Sequence, residues 1–141
     1  MNRYTAGNSV TLLSNGAEYL PVLLEASALA EREVWLETYI FADDETGRRV
    51  ADALVDAAQR GVSVRVLVDG WGARHYLTPP LERRLIDGGV DLLKYRPEVP
   101  PWAFRPHRPR PLHRQLCPVD GRVAFVAGLT WLPHDHSPQL T

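Results

Sequence analysis

The chain has 141 residues, 45% hydrophobic and 23% charged, with a formal net charge of −1. That length fits one domain with a real core, and the composition excludes a disordered chain. No apolar run reaches the ~18 residues a bilayer-spanning helix needs, the N-terminus Met1-Asn2-Arg3-Tyr4 has no apolar signal-peptide core, and the lone Cys117, which reads as a small buried hydrophobe, excludes an internal disulfide.

Taken in order, Ser9 to Leu13 alternates as a first strand and is ended by Ser14-Asn15-Gly16. A helix follows to about Glu31 with Leu20, Leu23, Leu24 and Leu29 on its buried side. Pro21 is tolerated only near a first turn, so the regular helix is expected from about Glu18. Glu33 to Phe41 reads as a mostly buried strand. Asp43-Asp44-Glu45 opens a second helix, with negative charge where the helix dipole favours it, and Gly61 stops that helix after Arg60. Val62 to Val68 is the clearest strand, and the Asp69-Gly70-Trp71-Gly72 that follows reads as a turn, lacking the third glycine of a dinucleotide loop. Thr78-Pro79-Pro80 opens a short helix that ends at Gly88-Gly89, and Val90 to Tyr95 is a further strand. Residues 96–111 hold six of the twelve prolines and form an irregular loop. A β-hairpin around Asp120-Gly121 comes next, and residues 131–141 are a tail. The order β-α-β-α-β-α-β plus hairpin argues for an α/β layered fold with a mostly parallel sheet flanked by helices.

The small net charge hides an asymmetry. Residues 1–70 carry 6 basic and 11 acidic side chains, and residues 71–141 carry 10 basic and 6 acidic. Arg96, Arg105, Arg108, Arg110 and Arg114 gather just ahead of the hairpin, a basic rim suited to an anionic lipid or nucleic acid. Within the run Leu112-His113-Arg114-Gln115-Leu116-Cys117-Pro118-Val119-Asp120, His113 and Gln115 are two apart and would share one strand face, where Gln115 can donate a hydrogen bond but brings no charge. Arg114 would point the other way unless the register slips or the strand bulges, which Pro118 favours. A plain hairpin, with Asp120 as a turn residue, is the simpler reading of the same run.

The run resembles the His-x-Lys-(four residues)-Asp signature of the phospholipase D superfamily, with His113 and Asp120 in place and Gln115 at the Lys position. Three further stretches resemble bacterial cardiolipin synthases: Gly7 to Leu13 with Asn15-Gly16, Val34 to Phe41, and Ala57 to Gly70. Gly121 to Val126 completes the likeness, which covers roughly residues 7–130. The implied fold is a phospholipase D-like half-domain over residues 1–130. The implied reaction is phosphatidyl transfer between phosphatidylglycerol molecules through a phosphohistidine, with no metal or other cofactor. His113 would be the nucleophile or the acid, Gln115 a weakened phosphate ligand, and Asp120 the residue that orients His113 or supports the turn. Thr130, standing where the family carries an Asn, would contact phosphate. Arg114, Arg108, Arg110 and Glu37 would line the substrate site, although Glu37 reads equally as a buried, paired carboxylate.

One such motif implies half of a two-half site, so the expected state is impaired or incomplete, a truncated counterpart of its relatives. The partner would be a second motif-bearing half or another copy of the chain. Two rival readings stand beside this one. The chain is a non-catalytic remnant that binds anionic lipid or a partner half, or it is a nuclease-like phosphodiesterase homodimer acting on nucleic acid. His134-Asp135-His136 with His113 has metal-ligand chemistry, but a polar tail explains it better. The expected location is the cytoplasm, with peripheral attachment to the inner membrane.

Overall fold

A computed structural model describes residues 6–14, 16–95 and 115–127. The elements are α1 (Gly16–Leu29), β1 (Glu33–Thr38), α2 (Glu45–Gln59), β2 (Ser63–Asp69), α3 (Gly70–Tyr76), α4 (Pro79–Asp87), β3 (Asp91–Tyr95), β4 (Gln115–Val119) and β5 (Val123–Ala127). The strands form one sheet in the order β3-β2-β1-β4-β5. β3, β2 and β1 are parallel, as helical crossovers between them require, whereas β4 runs antiparallel to β1 and β5 antiparallel to β4. The α/β expectation holds, with the sheet parallel on one side only. A connection of three residues, Asp120 to Arg122, can join β4 and β5 only as a hairpin.

Alternation along the strands decides what is buried. Val34, Leu36 and Thr38 of β1, Val64, Val66 and Val68 of β2, and Gln115, Cys117 and Val119 of β4 are all buried. Tyr19 and Leu23 of α1, Val50, Ala51 and Leu54 of α2, and Leu81 and Leu85 of α4 close the same core. Tyr19 meets Phe125 of β5 edge to face, with ring centroids 5.8 Å apart. Residues on the opposite sheet face line up in register as Leu93, Leu67, Glu37, Leu116 and Val126. Leu93 is 50% exposed and Val126 75%, so among the described residues this face is largely uncovered. Trp35 lies on it as well, with the Arg65 guanidinium 5.7 Å from its ring centre.

The helix ends follow the sequence signals. Asp44 caps α2 by accepting from the Gly47 N–H at 2.7 Å, and Gly61 after it takes a φ of +92°, where a side chain would be strained. Thr78 caps α4, with Pro79 in its first turn.

Four expectations are corrected. Residues 8–14 form no strand, and Val10 and Leu12 are 94% and 92% exposed. An alternating run becomes a strand only where a neighbour completes its hydrogen bonds, and no described strand flanks this one. α1 starts at Gly16 and ends at Leu29, with Pro21 inside it. Its buried line is Tyr19, Leu23 and Ser27, one helical face at four-residue spacing, which leaves Leu29 exposed. β1 ends at Thr38 rather than Phe41. Asp69-Gly70-Trp71-Gly72 is the start of a helix rather than a turn. The Asp69 carboxylate accepts from the N–H groups of Trp71 and Gly72 at 2.9 and 3.4 Å, so the residue that favours a turn serves as a helix cap.

Candidate functional site

Thr38, Asp69 and Tyr95 end the three parallel strands at one edge of the sheet, and Gln115 begins β4 at that edge. Ligand sites of α/β sheets form outside such carboxyl edges, where the strand ladders stop and side chains from several connections converge.

Gln115 and Thr38 face each other across β4 and β1. Both are buried, Gln115 at 2% exposure and Thr38 at 0%. The Thr38 hydroxyl donates to the Ile40 carbonyl at 2.8 Å, so toward Gln115 it can only accept. Gln115 accordingly turns its Nε2 to Thr38, at 3.3 Å. Its Oε1 is buried and without a hydrogen-bond partner among the described residues. At the position where the resemblance expects a phosphate-binding cation, the fold thus holds a neutral amide locked to a hydroxyl.

Asp120 lies at the far end of β4, a strand length or roughly 16 Å from Gln115. Its carboxylate accepts from the backbone N–H groups of Glu31, Arg32 and Glu33 at 2.9, 2.8 and 2.9 Å. Its own N–H donates to the Glu33 carbonyl at 2.9 Å, and an Arg32 guanidinium nitrogen donates to its carbonyl at 2.6 Å. The backbone donors, that of Glu33 foremost, hold the carboxyl down at about 2. Asp120 and Gly121 have φ values of 52° and 66°, which an Asp-Gly pair supplies at little cost. The Asp120 carboxylate therefore pins the hairpin turn to the start of β1. Glu37 is half-buried on the uncovered face, opposite to the one Gln115 points into. His113, Arg114, Arg108, Arg110 and Thr130 lie outside the described residues, as do the 96–111 loop and His134-Asp135-His136. Cys117 sits in the core, where burial pushes its thiol up to about 12 and leaves it no nucleophilic role.

Sequence reasoning missed the loop over this edge. Residues 39–44 are pressed between two helices at glycines, because a Cβ at Gly47 would overlap the Ala42 carbonyl oxygen and one at Gly72 that of Tyr39. The Asp43 N–H donates to the Tyr76 carbonyl at 3.1 Å. The Asp43 carboxylate accepts from the Thr78 hydroxyl and pairs with Arg48 Nε at 2.6 Å, contacts that hold it below the usual carboxylate range. On this base stands an aromatic cluster. The Trp71 ring stacks on Tyr39 with centroids 5.9 Å apart and an interplanar angle of 5°, and meets His75 at 4.1 Å. The Gly-Trp-Gly spacing carried the signal: a glycine after the Trp allows backbone-to-backbone approach.

The family model described as "Cardiolipin synthase, PLD-like domain" matches residues 23–134. The chain belongs to that family. It is 37% identical over 136 residues to cardiolipin synthase B of Salmonella typhimurium, covering 94% of this chain and 33% of the relative. It is 36% identical over 125 residues to cardiolipin synthase B of Escherichia coli K12, covering 89% and 30%. Cardiolipin synthase 1 of Bacillus anthracis is 34% identical over 122 residues, covering 84% and 23%. The chain thus spans about a third or less of the length of these relatives. Among solved structures, the phospholipase D family member Nuc of Salmonella typhimurium superposes with a TM-score of 0.54 at 21% identity, over 71% of this chain and 56% of that one, which shows the fold.

Proposed function

We propose that the chain forms one half of a phosphatidyl-transfer site of the cardiolipin synthase type, with the phosphodiester of phosphatidylglycerol as its substrate. The observation that carries the reading is the family match over residues 23–134, which takes in the whole His113–Asp120 run together with the five described strands. His113 is two residues ahead of Gln115, the spacing that puts two side chains of an extended segment on one face. In the proposed reaction the His113 imidazole attacks phosphorus, a nitrogen–phosphorus bond forms and a glycerol alkoxide leaves, protonated by the acid of the partner half. The hydroxyl of a second phosphatidylglycerol then attacks phosphorus, giving its proton back to the partner-half group, as the nitrogen–phosphorus bond breaks and frees the histidine. Arg105, Arg108, Arg110 and Arg114 supply the positive field that draws in the anionic headgroup, with an attraction that weakens as salt rises. The second half comes from another motif-bearing chain or a second copy. No helix among the described residues is long and apolar enough to cross a membrane, and the proposed attachment is peripheral.

Gln115 lacks the charge that stabilises phosphoryl transfer, and losing one well-placed donor costs on the order of a hundredfold in rate. The proposed activity is therefore slow. Headgroup exchange on phosphatidylglycerol, run beside cleavage of plasmid DNA, separates the lipid reading from the nuclease reading. The expected result is slow exchange, no DNA cleavage, and an acid-trapped phosphohistidine that His113→Ala abolishes. A folded chain that gives neither exchange nor trapped phosphohistidine, with or without a partner half, is a binding remnant.

A further inference from the structure

The sheet face opposite to the one Gln115 points into is not uniformly apolar. Glu37 sits near its middle, in register with Leu67 on one side and Leu116 on the other. It is half-buried, and among the described residues it makes no hydrogen bond or ion pair. Two residues back along the strand, Trp35 of β1 is in register with Arg65 of β2. Trp35 is 39% exposed, and the Arg65 guanidinium lies 5.7 Å from its ring centre with no carboxylate paired to it among the described residues. Two further carboxylates of this face, Glu33 and Asp91, are exposed at its margin, where β1 and β3 begin. A surface that covers the leucines must also cover Glu37, and a carboxylate shut away without a counter-charge is costly. A purely apolar partner or an acyl chain therefore does not suit this face. A partner that brings a cation to Glu37 does, and the face itself holds one in Arg65.

We propose that this face pairs with the same face of a second copy, Glu37 of each copy meeting Arg65 of the other. The ladder geometry suits a two-fold arrangement. Neighbouring strands are about 4.8 Å apart and two residues rise about 6.6 Å, so Glu37 and Arg65 lie roughly 8 Å apart on one diagonal of the β1–β2 ladder. A two-fold axis lying between the two sheets, and crossing that diagonal at its midpoint and at a right angle, sets each carboxylate over the other copy's guanidinium. Two identical ion pairs result, as in any isologous contact. The other diagonal, from Trp35 to Leu67, runs close to that axis, so each of these side chains meets its own counterpart. Apolar contact is thus gathered at the centre of the interface. Five strands make the face roughly 19 Å wide, a small contact beside those of stable complexes, so the pairing is reversible rather than obligate. Because Gln115 points into the opposite face, this pairing does not complete the phosphatidyl-transfer site. It goes beyond that reading and stands or falls separately from it.

Sedimentation equilibrium of the full chain over a concentration series tests this. Wild type is expected to dimerise reversibly. Glu37→Arg sets like charges against each other at both contacts, as does Arg65→Glu, and each is expected to weaken dimerisation by at least about tenfold. Mixed together, the two single variants are expected to form a heterodimer, because each supplies the charge that the other lacks. The double variant, Glu37→Arg with Arg65→Glu, is expected to pair as wild type does. Should a charge-reversed variant fail to fold, cross-linking decides the matter. Leu67→Cys, close to the axis, should be joined to its counterpart by a short thiol-to-thiol cross-linker, whereas Ser63→Cys, exposed at the margin of the same face, should not. Cys117 is buried in the core and does not compete for the reagent. A monomeric wild type overturns the proposal and leaves the face to residues of the same chain. A dimer indifferent to both charge reversals overturns it too, as do folded single variants that stay monomeric when mixed, or cross-linking through Ser63→Cys but not Leu67→Cys.

Discussion

Gln115 shows how one residue ties stability to chemistry. Its described partner is a neutral hydroxyl, and it is buried. Gln115→Lys would place a cation there without a counter-charge, at a cost on the order of 3 kcal/mol. The variant is expected to melt well below wild type in plain buffer, to recover when inorganic phosphate is added, and to raise phosphodiester turnover by about a hundredfold. Lower melting with neither rescue nor gain in rate would show that the missing cation is not what limits the site. Asp120 gives a pH signature. An unfolded Asp titrates near about 3.9, while the folded carboxyl is held at about 2 by backbone donors. Its stabilising effect is complete at neutral pH, shrinks as pH falls below about 4, and is gone below about 2. Asp120→Asn should lower the melting temperature at pH 7 and flatten its fall through that acid range. A melting curve at pH 7 unchanged by the substitution would mean the three backbone bonds contribute nothing net.

At the scale of elements, the loop 39–44 and α3 form one unit, because Gly72 lets them touch backbone to backbone. Gly72→Ala would normally help a helix by up to about 1 kcal/mol. Here it forces the Tyr39 carbonyl and α3 apart, so the variant should be less stable than wild type and lose the Tyr39–Trp71 stack, read as a changed near-ultraviolet circular dichroism band. A stabilised variant would disprove the close approach. Such contacts mark where the sequence stops being readable. The Asp44 and Thr78 caps, Gly61 and the Val62–Val68 alternation are local signals, and each yields its element within a residue or two. Ser9–Leu13 alternates just as well and is no strand, since pairing depends on a neighbour that its own residues cannot specify. Site residues divide in the same way. The Asp-Gly hairpin was legible, while the Thr38–Gln115 bond joins residues 77 apart and the Asp120 clamp residues 87 to 89 apart.

For the whole molecule, the sheet face that the described residues leave largely uncovered is the dominant physical fact. Its stripe runs through Leu93, Leu67, Glu37, Leu116 and Val126, with Leu93 and Val126 exposed and the three between them half-buried, and apolar surface of this kind pairs or aggregates. The chain is expected to be a dimer or soluble aggregate by light scattering at tens of micromolar, roughly where such association appears. Val126→Lys, on the most exposed residue of that stripe, should shift it toward monomer without loss of secondary structure. A monomeric wild type would mean that residues outside the described ones cover the face.

The place of the β4–β5 hairpin in the sheet has a kinetic consequence. The hairpin docks on β1, which by then has β2 on its other side, and the contacts it makes span some 80 to 90 residues of chain, whereas residues 16–95 fold through neighbouring βα units. Contacts of long sequence separation form late and open early. The hairpin is therefore the subunit of folding that detaches first. Amide protons of Gln115, Leu116, Cys117 and Val119 should exchange through a partial opening at lower free energy than those of β2, which stays zipped between β1 and β3. Because Gln115 rides on that hairpin, the candidate site would come apart while most of the sheet is still intact, so that loss of the site precedes loss of the fold as temperature rises.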